Sequence, residues 1–372
     1  MNKQTAYPLK IVHTEASGGW GGQEIRILDE SKGMIERDHE VTVICSPKSR
    51  IFEEGLRRGV PTVTLPIGRK NLRGFLAMRR WLKMNPVDVI NTHSSTDTWL
   101  AALACQTLRH PPSLVRTRHV SVPVANNFAN RWLYKNAIRH VVTTGESLRR
   151  QLIEQNGIPA ECITSIPTGI DPLRFHPGDK AEIRRTLGLN PTGHYIGIVA
   201  TLRSWKGHLY LLEAFASLNQ PEWTLLIVGD GPMRTAIEAK IIELGIENRV
   251  QLVGQQNNPE DWLRALDIFV LPSYANEGVP QALLQAMFTG LPIVTTPVGA
   301  ILEAVSDNET ALIVPHKNSL ALAAALTRLI SDSALGLRLG GAAREKAKMH
   351  FLRNWMLDKM ESIMSLAMDF KS

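Results

Sequence analysis

Cysteine is scarce in this 372-residue sequence, with three copies that lie far apart. Cys45, Cys105 and Cys162 form no CxxC pair, which argues against a disulfide framework or a zinc site and fits a reducing cytosol. No apolar run approaches the length of a transmembrane helix, and residues 1–15 lack the apolar core of a signal peptide. We therefore expect a cytoplasmic protein that is soluble or at most peripheral to a membrane.

Two ligand-binding motifs are also missing. The glycine cluster at residues 17–22 (SGGWGG) follows a predicted strand but does not match GxGxxG, so the sequence does not support a dinucleotide-binding fingerprint. Such a cluster still lets backbone N–H groups approach an anion at a helix start, although it could equally be a flexible turn. The sequence also has no Asp-x-Asp pair of the kind that binds a divalent ion.

The length and the charge distribution indicate two dissimilar halves. A chain of 372 residues exceeds the size at which one core stops growing, so two domains are expected. The net charge of +7 is uneven, because residues 1–170 carry 23 Lys+Arg against 14 Asp+Glu and the remainder carries 19 against 21. The basic half would suit an anionic surface or substrate, or could be an ordinary solvated surface.

Strands and helices alternate along the chain, which predicts an α/β fold with two doubly wound parallel sheets. A Pro- and Gly-rich segment without periodicity, residues 167–180, is the predicted hinge between them. A long helical tail is predicted for residues 337–370. The predicted strands are 9–13, 41–45, 62–65, 89–92, 114–118 and 141–144 before the hinge, and 196–200, 224–228, 250–253, 268–271, 293–296 and 311–314 after it.

The stretch 267–299 carries the strongest functional signal. An apolar strand is followed by a loop containing Glu277, and Pro280 then stands where the first turn of a helix tolerates proline. Gly290 suits the C-terminal end of that helix. Glu277 is thus expected at the carboxyl end of a parallel strand, where open α/β sheets bind ligands. The plain structural alternative is a solvated acid in an ordinary loop.

This stretch resembles the donor-site signature of the retaining family 4 (group 1) glycosyltransferases. Other landmarks of that family follow in order, namely the glycine cluster at 17–22, the hinge, the loop at 200–208 (ATLRSWKGH) and the turn at 229–232 (GDGP). The resemblance implies the GT-B fold, in which two Rossmann-like domains face a central cleft. It implies an acceptor-binding domain at 1–170, a nucleotide-sugar-binding domain at 171–350, and a C-terminal helix at 351–372 that returns to the first domain. From the residues alone, that helix could equally cap its own domain.

The resemblance also assigns donor-site residues. Glu277 would accept hydroxyl hydrogens of the transferred sugar, while backbone N–H groups near Gly278 and Val279 would face the phosphates. Two positions depart from the family pattern, since Gln285 replaces a glutamate that holds the ribose and Thr201 replaces an arginine. The other donor-side candidates are Arg203, Gly231 and Asn276.

A departing diphosphate needs either a metal ion or fixed cations to stabilise its charge. Lys206, beside Gly207 after a predicted strand, is the expected cation, with Arg203 as a displaced substitute for the missing arginine. Surface cations at a helix start would oppose the helix dipole unless an anion binds there. We therefore expect no metal and no cofactor.

Acceptor-side candidates lie in the first half. Gly18 and Gly19 belong to the glycine cluster, and His93 and His119 each follow a predicted strand. In the resembling family a histidine at the His119 position contacts the transferred sugar or lies near the acceptor. His93 could equally be a hydrogen-bonded histidine at a strand end.

Residues 69–83 predict a helix with a basic outer face. Its apolar stripe of Leu72, Phe75, Leu76 and Leu82 is expected to pack on the core, and its basic face is a hypothesis for contact with an anionic membrane.

The resemblance therefore implies a retaining, metal-independent transferase that moves a sugar from a nucleotide sugar to a glycan or lipid-linked acceptor. The family suggests cell-surface polysaccharide or lipopolysaccharide synthesis. Thr201 and Gln285 keep a non-catalytic nucleotide-sugar-binding subunit open, and the shared fold keeps a nucleotide-sugar 2-epimerase open. Nucleic-acid binding is not expected, because the basic half lacks interleaved aromatic residues and any known module.

Overall fold

A computed structural model of the chain describes residues 7–119 and 123–369. The chain divides into two units, one formed by residues 1–168 with 354–372 and the other by residues 169–353. Each unit contains one parallel β-sheet with helices packed against it, so the two doubly wound α/β domains expected from the sequence are present.

The first unit is built on a seven-stranded sheet within the described residues. Its strands are β1 (Lys10–Glu15), β2 (Glu40–Cys45), β3 (Thr62–Thr64), β4 (Val89–Thr92), β5 (Ser113–Arg118), β6 (His140–Thr143) and β7 (Ile163–Ser165). They are all parallel, in the order β3-β2-β1-β4-β5-β6-β7. The helices of this unit are α1 (Gly22–Ile35), α2 (Arg50–Arg57), α3 (Leu72–Met84), α4 (Ser95–Cys105), α5 (Phe128–Trp132) with a π-helical turn (Leu133–Ala137), and α6 (Glu146–Asn156).

The second unit has a six-stranded sheet within the same described ranges. Its helices are α7 (Lys180–Thr186), α8 (His208–Ala216), α9 (Arg234–Glu243), α10 (Pro259–Ala265), α11 (Gln281–Thr289), α12 (Ile301–Ala304), α13 (Ser319–Ser331) and α14 (Ser333–His350). Its strands are β8 (His194–Val199), β9 (Trp223–Val228), β10 (Val250–Gly254), β11 (Ile268–Leu271), β12 (Ile293–Thr295) and β13 (Leu312–Ile313). They are parallel in the order β10-β9-β8-β11-β12-β13, so β8 and β11 are neighbours although they are far apart in sequence.

The twelve predicted strands are all present, with ends that match or differ by at most two residues. The sequence did not predict β7, which has three residues and buries only Ile163 fully. Its residues run directly into the Pro-rich segment before residue 169, so the strand has no separate pattern in the sequence.

The helical tail is broken rather than continuous. Helix α14 ends at His350, and the last helix, α15 (Arg353–Asp369), begins after Phe351 and Leu352. Phe351 is buried, and its carbonyl accepts a hydrogen bond from the backbone N–H of Ile170. Helix α15 belongs to the first unit, where Met356, Met360 and Met364 join the core formed by β1, β4 and β5. Phe370, the last residue of the predicted tail, lies outside the described residues.

The predicted core face of α3 is wrong for two residues. Leu72 and Leu76 are 69% and 51% exposed, while Gly74, Met78 and Leu82 are buried. The reason is a close approach at Gly74, where a Cβ atom would lie 2.9 Å from Pro66 O and 3.1 Å from Leu100 Cδ1. Because the helix packs along this ridge, the apolar stripe is rotated partly into solvent.

Membrane-spanning potential is limited to one bent arrangement. Within residues 7–119 and 123–369, no single helix combines the length and the apolar character needed to cross a membrane. Helices α13 and α14 meet that requirement only when taken together, and they are bent by 103°.

Candidate functional site

Three loops of the second unit meet at the carboxyl ends of neighbouring strands. Residues 200–207 follow β8, residues 229–232 follow β9 and residues 272–280 follow β11. Because the strands are parallel and adjacent, their carboxyl ends lie at the same edge of the sheet. These loops hold most of the predicted donor-side residues.

Glu277 and Lys206 form a close ion pair at this edge. Lys206 Nζ donates to Glu277 Oε1 over 2.6 Å, and Ser273 Oγ donates to the same oxygen over 2.6 Å. Glu277 is only 5% exposed, so its carboxylate is desolvated and held by two donors. The two residues assigned separate roles from sequence are thus in direct contact.

The backbone around Glu277 is shaped by a left-handed residue and a tightly packed glycine. Asn276 has a φ of 60°, a conformation that asparagine tolerates better than most residues. Gly299 also has a φ of 60°, and a Cβ atom there would lie 2.0 Å from Glu277 O. Only a glycine fits this contact, because both the space and the backbone conformation exclude a side chain.

The turn at 229–232 packs against the Lys206 loop. A Cβ atom at Gly229 would lie 2.0 Å from Ala200 O, and one at Gly231 would lie 2.7 Å from Leu202 O. The backbone N–H of Leu202 donates to Asp230 O, which joins the two loops directly. The glycines of this turn therefore position the loop that carries Lys206.

Helix α8 begins immediately after this loop. Gly207, its N-cap, has a φ of 77°, and a Cβ atom there would lie 2.1 Å from Pro272 O. His208 is buried, and this burial, with the positive charge of Lys206 nearby, lowers its pKa to about 4. Its imidazole is therefore neutral near pH 7 and adds no charge. The dipole of α8, which begins at His208, adds to the positive potential around Lys206.

The remaining donor-side candidates differ in exposure. Gly278, Val279 and Gln285 are buried, Thr201 is partly buried, and Arg203 and Asn276 are exposed. The guanidinium of Arg203 lies 5.7 Å from the ring centre of Trp205. Within the described residues, no group hydrogen-bonds to the side-chain amide of Gln285, which lies on α11 one turn after its start.

In the first unit, the glycine cluster lies over a group of acids at the end of β1. Glu15 Oε1 accepts from the backbone N–H of Ser17, and Gln23 Nε2 donates to Glu15 Oε2. Ser17 Oγ also donates to Glu24. Burial, with the negative charges of Asp97 and Glu24, raises the pKa of Glu15 to about 8. Gly18 and Gly19 lie in this loop, and Gly18 has no heavy atom within 4 Å of where a Cβ would stand.

His93 and His119 are in contact, and a third histidine extends the contact into the core. His93 Nδ1 lies 2.9 Å from His119 Nε2, and His93 Nε2 lies 3.0 Å from His13 Nδ1. His13 and His93 are 0% and 3% exposed, while His119 is partly buried at the end of β5. We call His13, His93 and His119 the histidine chain.

Asp97 fixes the loop between β4 and α4. It accepts from Ser94 Oγ and from the backbone N–H of Ser94 in a capping box, and from Thr14 Oγ1 over 2.6 Å. The backbone N–H of His93 also donates to it over 3.0 Å. Asp97 therefore ties His93 to β1.

Sequence reasoning did not identify Ser273, Gly299, Glu15 or His13. A weak signal existed for Glu15 and His13, which lie at or near the carboxyl end of the first predicted strand. Within the described ranges, no group of three or more His, Cys, Asp or Glu side chains is arranged to hold a metal ion.

Two family models match consecutive parts of the chain. Residues 20–174 match the model described as Glycosyltransferase Family 4, and residues 179–346 match the model described as Glycosyl transferases group 1. The boundary between the two matches lies in the predicted hinge segment.

Individual relatives agree with these models. The chain is 34% identical over 179 residues to the lipopolysaccharide core biosynthesis mannosyltransferase LpsB of Rhizobium meliloti. The aligned region covers 45% of this chain and about half (51%) of that protein. It is 25% identical over 356 residues to the UDP-Gal:alpha-D-GlcNAc-diphosphoundecaprenol alpha-1,3-galactosyltransferase of Escherichia coli, covering 90% and 91% of the two chains. The crystal structure of Anabaena Alr3699/HepE with UDP and glucose superposes with a TM-score of 0.85 at 22% identity, over 96% of this chain and 99% of that one. This last similarity shows the fold.

Proposed function

The chain belongs to the group 1 glycosyltransferases of family 4, and from that premise we propose that it is a retaining, metal-independent enzyme that uses a nucleotide sugar. Its class is that of the hexosyltransferases, as the names of its relatives indicate. We propose a glycan or lipid-linked acceptor and a role in cell-surface polysaccharide or lipopolysaccharide synthesis. The relatives named for a lipopolysaccharide core and for a diphosphoundecaprenol acceptor support this choice.

The observation that carries the proposal is the Lys206–Glu277 pair. A cation and a carboxylate 2.6 Å apart lie on loops that glycines hold in place at the carboxyl edge of a parallel sheet. The ammonium of Lys206 has three N–H donors, so it can keep Glu277 and also donate to a phosphate oxygen. Glu277 Oε1 is already engaged by two donors, so its other oxygen is the one proposed to accept a sugar hydroxyl.

Bond breaking at the anomeric carbon leaves growing negative charge on the diphosphate. We propose that Lys206, Arg203 and backbone N–H groups near Gly278 and Val279 stabilise this charge, with help from the N-terminus of α8. Gln285 would hold the ribose with an uncharged amide, which gives a weaker grip than a carboxylate. The acceptor would attack from the same face as the leaving phosphate, with the leaving phosphate taking up its proton.

We assign the acceptor side to the first unit, with His119, His93, Gly18 and Gly19 as its residues. The exposed face of α3 is proposed to meet an anionic membrane at the cytoplasmic side. Leu72 and Leu76 are exposed there beside Arg69, Arg73 and Arg80, an arrangement of apolar and basic side chains that suits a lipid headgroup layer.

The experiment is a nucleotide-release assay with a panel of UDP-, GDP-, ADP- and CMP-sugars, with and without a membrane or oligosaccharide extract. A transferase releases nucleotide only when an acceptor is present, an epimerase releases UDP without one, and a binding subunit releases none. The matched variants are Glu277→Gln, expected to be inactive, and Glu222→Gln, an exposed acid in the same unit that is expected to be fully active.

Two further readouts address stereochemistry and metal. The anomeric configuration of the product, read by NMR, should match that of the donor sugar, and inversion would contradict retention. Activity should survive a chelator, and a loss that manganese restores would overturn the metal-independent mechanism.

A further inference from the structure

The histidine chain connects the proposed acceptor side with a buried ion pair. Its inner end is His13, whose Nε2 lies 3.9 Å from Glu30 Oε1 on α1. Glu30 in turn lies 3.6 Å from Arg26 Nε, and both side chains are 0% exposed. The outer end is His119, which is partly buried, whereas His13 and His93 are buried. A continuous path of polar contacts therefore runs from the core of the unit to its carboxyl edge.

All three imidazoles are neutral near pH 7. Burial lowers the pKa of His13 to about 3, with the charge of Arg26 adding to the effect. Burial likewise lowers the pKa of His93 and of His119 well below the usual value, with Arg26 and Arg116 contributing. A neutral imidazole has one N–H donor and one acceptor nitrogen, so each histidine must donate on one side and accept on the other.

Two arrangements satisfy both hydrogen bonds of the chain. Either every N–H points inward, toward Glu30, or every N–H points outward, toward His119. In the outward arrangement the lone pair of His13 Nε2 would face the Glu30 oxygens, which is unfavourable in a buried environment. In the inward arrangement the N–H of His13 faces Glu30, and the electrostatic interaction is attractive.

The surroundings of Glu30 define it as an acceptor. Asn91 Nδ2 donates to Glu30 Oε1, and Thr117 Oγ1 donates to Asn91 Oδ1. An arginine side chain stays protonated in proteins. The guanidinium of Arg26 faces the other oxygen of Glu30, Oε2. Burial raises the pKa of Glu30, and the charge of Arg26 opposes this shift. The Asn91 donor marks Oε1, the oxygen nearest His13, as the accepting oxygen of the carboxyl group.

We propose that Glu30, acting through His13 and His93, fixes His119 in the Nε2–H tautomer, so that His119 presents Nδ1 as a hydrogen-bond acceptor. His119 Nε2–H donates to His93 Nδ1, His93 Nε2–H donates to His13 Nδ1, and His13 Nε2–H faces Glu30. His13, His93 and Glu30 are positioning residues in this scheme. The ligand group that suits Nδ1 is a hydroxyl, which is the kind of group that sugars present.

The tautomer is measured directly by long-range ¹H–¹⁵N NMR on the full-length protein labelled with ¹⁵N-histidine. The His119 signals are assigned by comparison with His119→Gln. Wild-type His119 is expected to show a protonated Nε2 and an unprotonated Nδ1 throughout the neutral pH range. A protonated Nδ1 on His119 in the wild-type protein would overturn the proposal, whether or not the Glu30 and His13 variants fold.

Substitutions then test whether Glu30 and His13 cause the tautomer preference of His119. Glu30→Gln replaces the carboxyl with an amide that can either donate or accept, so it is expected to give a mixture of the two His119 tautomers. His13→Phe is expected to do the same by interrupting the histidine chain. His140 serves as an internal control, because it lies in the same sheet, contacts Thr164 instead and should not change. An unchanged His119 tautomer in folded Glu30→Gln and His13→Phe proteins would show that the chain does not set it.

The catalytic consequence rests on the proposed function. His13→Phe should lower kcat about tenfold, because His119 loses its preference for the Nε2–H tautomer, and KM for the donor should change little. If the protein has no transferase activity at all, the proposed function fails while the NMR result still decides the tautomer.

Discussion

At the scale of single residues, the Lys206–Glu277 contact is an ion pair in which Glu277 is almost fully buried. A buried ion pair contributes little net stability, because desolvation offsets most of the attraction. The small net stability expected from the Lys206–Glu277 pair is consistent with a chemical role rather than a structural one. Another pair in the same unit, Lys180 with Asp267 at 2.8 Å, offers a structural comparison at the other end of β11.

Lys206→Ala is expected to reduce kcat for nucleotide-sugar turnover about 10²-fold or more, because it removes a charge that offsets the leaving diphosphate. The measurement is steady-state nucleotide release at saturating donor, with thermal unfolding to verify the fold. Lys180→Ala is the matched control and should keep kcat within a factor of about two, since it lies away from the carboxyl edge. Equal losses in the two variants would contradict a catalytic role for Lys206.

A second residue-scale prediction concerns Glu15. Its pKa is about 8 in the folded protein against 4.5 in the reference state, so the folded form holds a proton that the unfolded form has lost. The stability that this proton provides is complete below pH 4.5 and is lost as pH rises through 8. Glu15→Gln removes the dependence, because a neutral amide can accept the Ser17 N–H at any pH.

The expected result is a difference in unfolding free energy, variant minus wild type, that increases by at most ~1.4 kcal/mol per pH unit across this window. Urea unfolding followed by tryptophan fluorescence at about pH 5, about pH 6.5 and about pH 8.5 measures it. Glu222→Gln, at an exposed position, should show a constant difference. A constant difference for Glu15→Gln would mean that its carboxyl is not held protonated.

Sequence alone identified some of these residues and not others for a physical reason. Glu277 has a local signature, because the strand, the proline and the helix stop around it are close in sequence. The partners of the histidine chain are 80 and 26 residues apart, and their contact depends on β1, β4 and β5 being neighbours in the sheet. Strand order is a property of the whole unit, so no local pattern could place His13 beside His93.

At the scale of elements, the loops of the second unit depend on glycines at contact points. Gly299 combines a left-handed backbone with a contact to the Glu277 carbonyl, so it transmits the position of the loop after β12 to the loop after β11. This dependence explains how short, irregular loops can hold Glu277 in one place.

Gly299→Ala is expected to displace the Glu277 loop and to reduce nucleotide-sugar binding at least about tenfold, measured by isothermal calorimetry. Backbone strain alone should cost about 1–3 kcal/mol, which lowers the melting temperature by several degrees. Gly341→Ala is the control, because Gly341 lies within α14 and has no heavy atom within 4 Å of a Cβ position. That variant should be as stable as the wild type or slightly more so. Normal donor binding by folded Gly299→Ala protein would contradict the proposal that Gly299 holds the Glu277 loop in position.

Element prediction succeeded where burial produces a continuous apolar run and failed where tertiary contacts decide. All the long buried strands were predicted, whereas β7, which runs directly into the Pro-rich segment, was not. The break between α14 and α15 has no proline or glycine to mark it, and the hydrogen bonds of Ile170 with Phe351 and Arg353 fix it instead. The rotation of α3 follows from the contact at Gly74, which periodicity cannot reveal.

At the scale of the whole molecule, positive charge is concentrated in residues 1–170, which carry 23 Lys+Arg against 14 Asp+Glu. A net positive region attracts anionic surfaces over about one Debye length, and exposed apolar side chains then add short-range affinity. Helix α3 provides both, because exposed Leu72 and Leu76 lie beside exposed Arg73 and Arg80. A lipid-linked acceptor would be reached most readily from such a surface.

The corresponding prediction is charge-dependent binding to liposomes. Wild-type protein should co-sediment with vesicles that contain anionic lipid and not with neutral vesicles, and Arg73→Glu/Arg80→Glu should weaken the binding about tenfold or more, at about 1 kcal/mol for each basic residue lost and a further penalty for each acid gained. Arg150→Glu/Arg185→Glu is the control, since both arginines are exposed, lie outside α3 and give the same change in net charge. If both double variants lose binding equally, the effect is one of total charge and α3 is not the contact. If binding does not depend on lipid charge, the membrane proposal fails, while the activity proposed for Lys206 and Glu277 is unaffected.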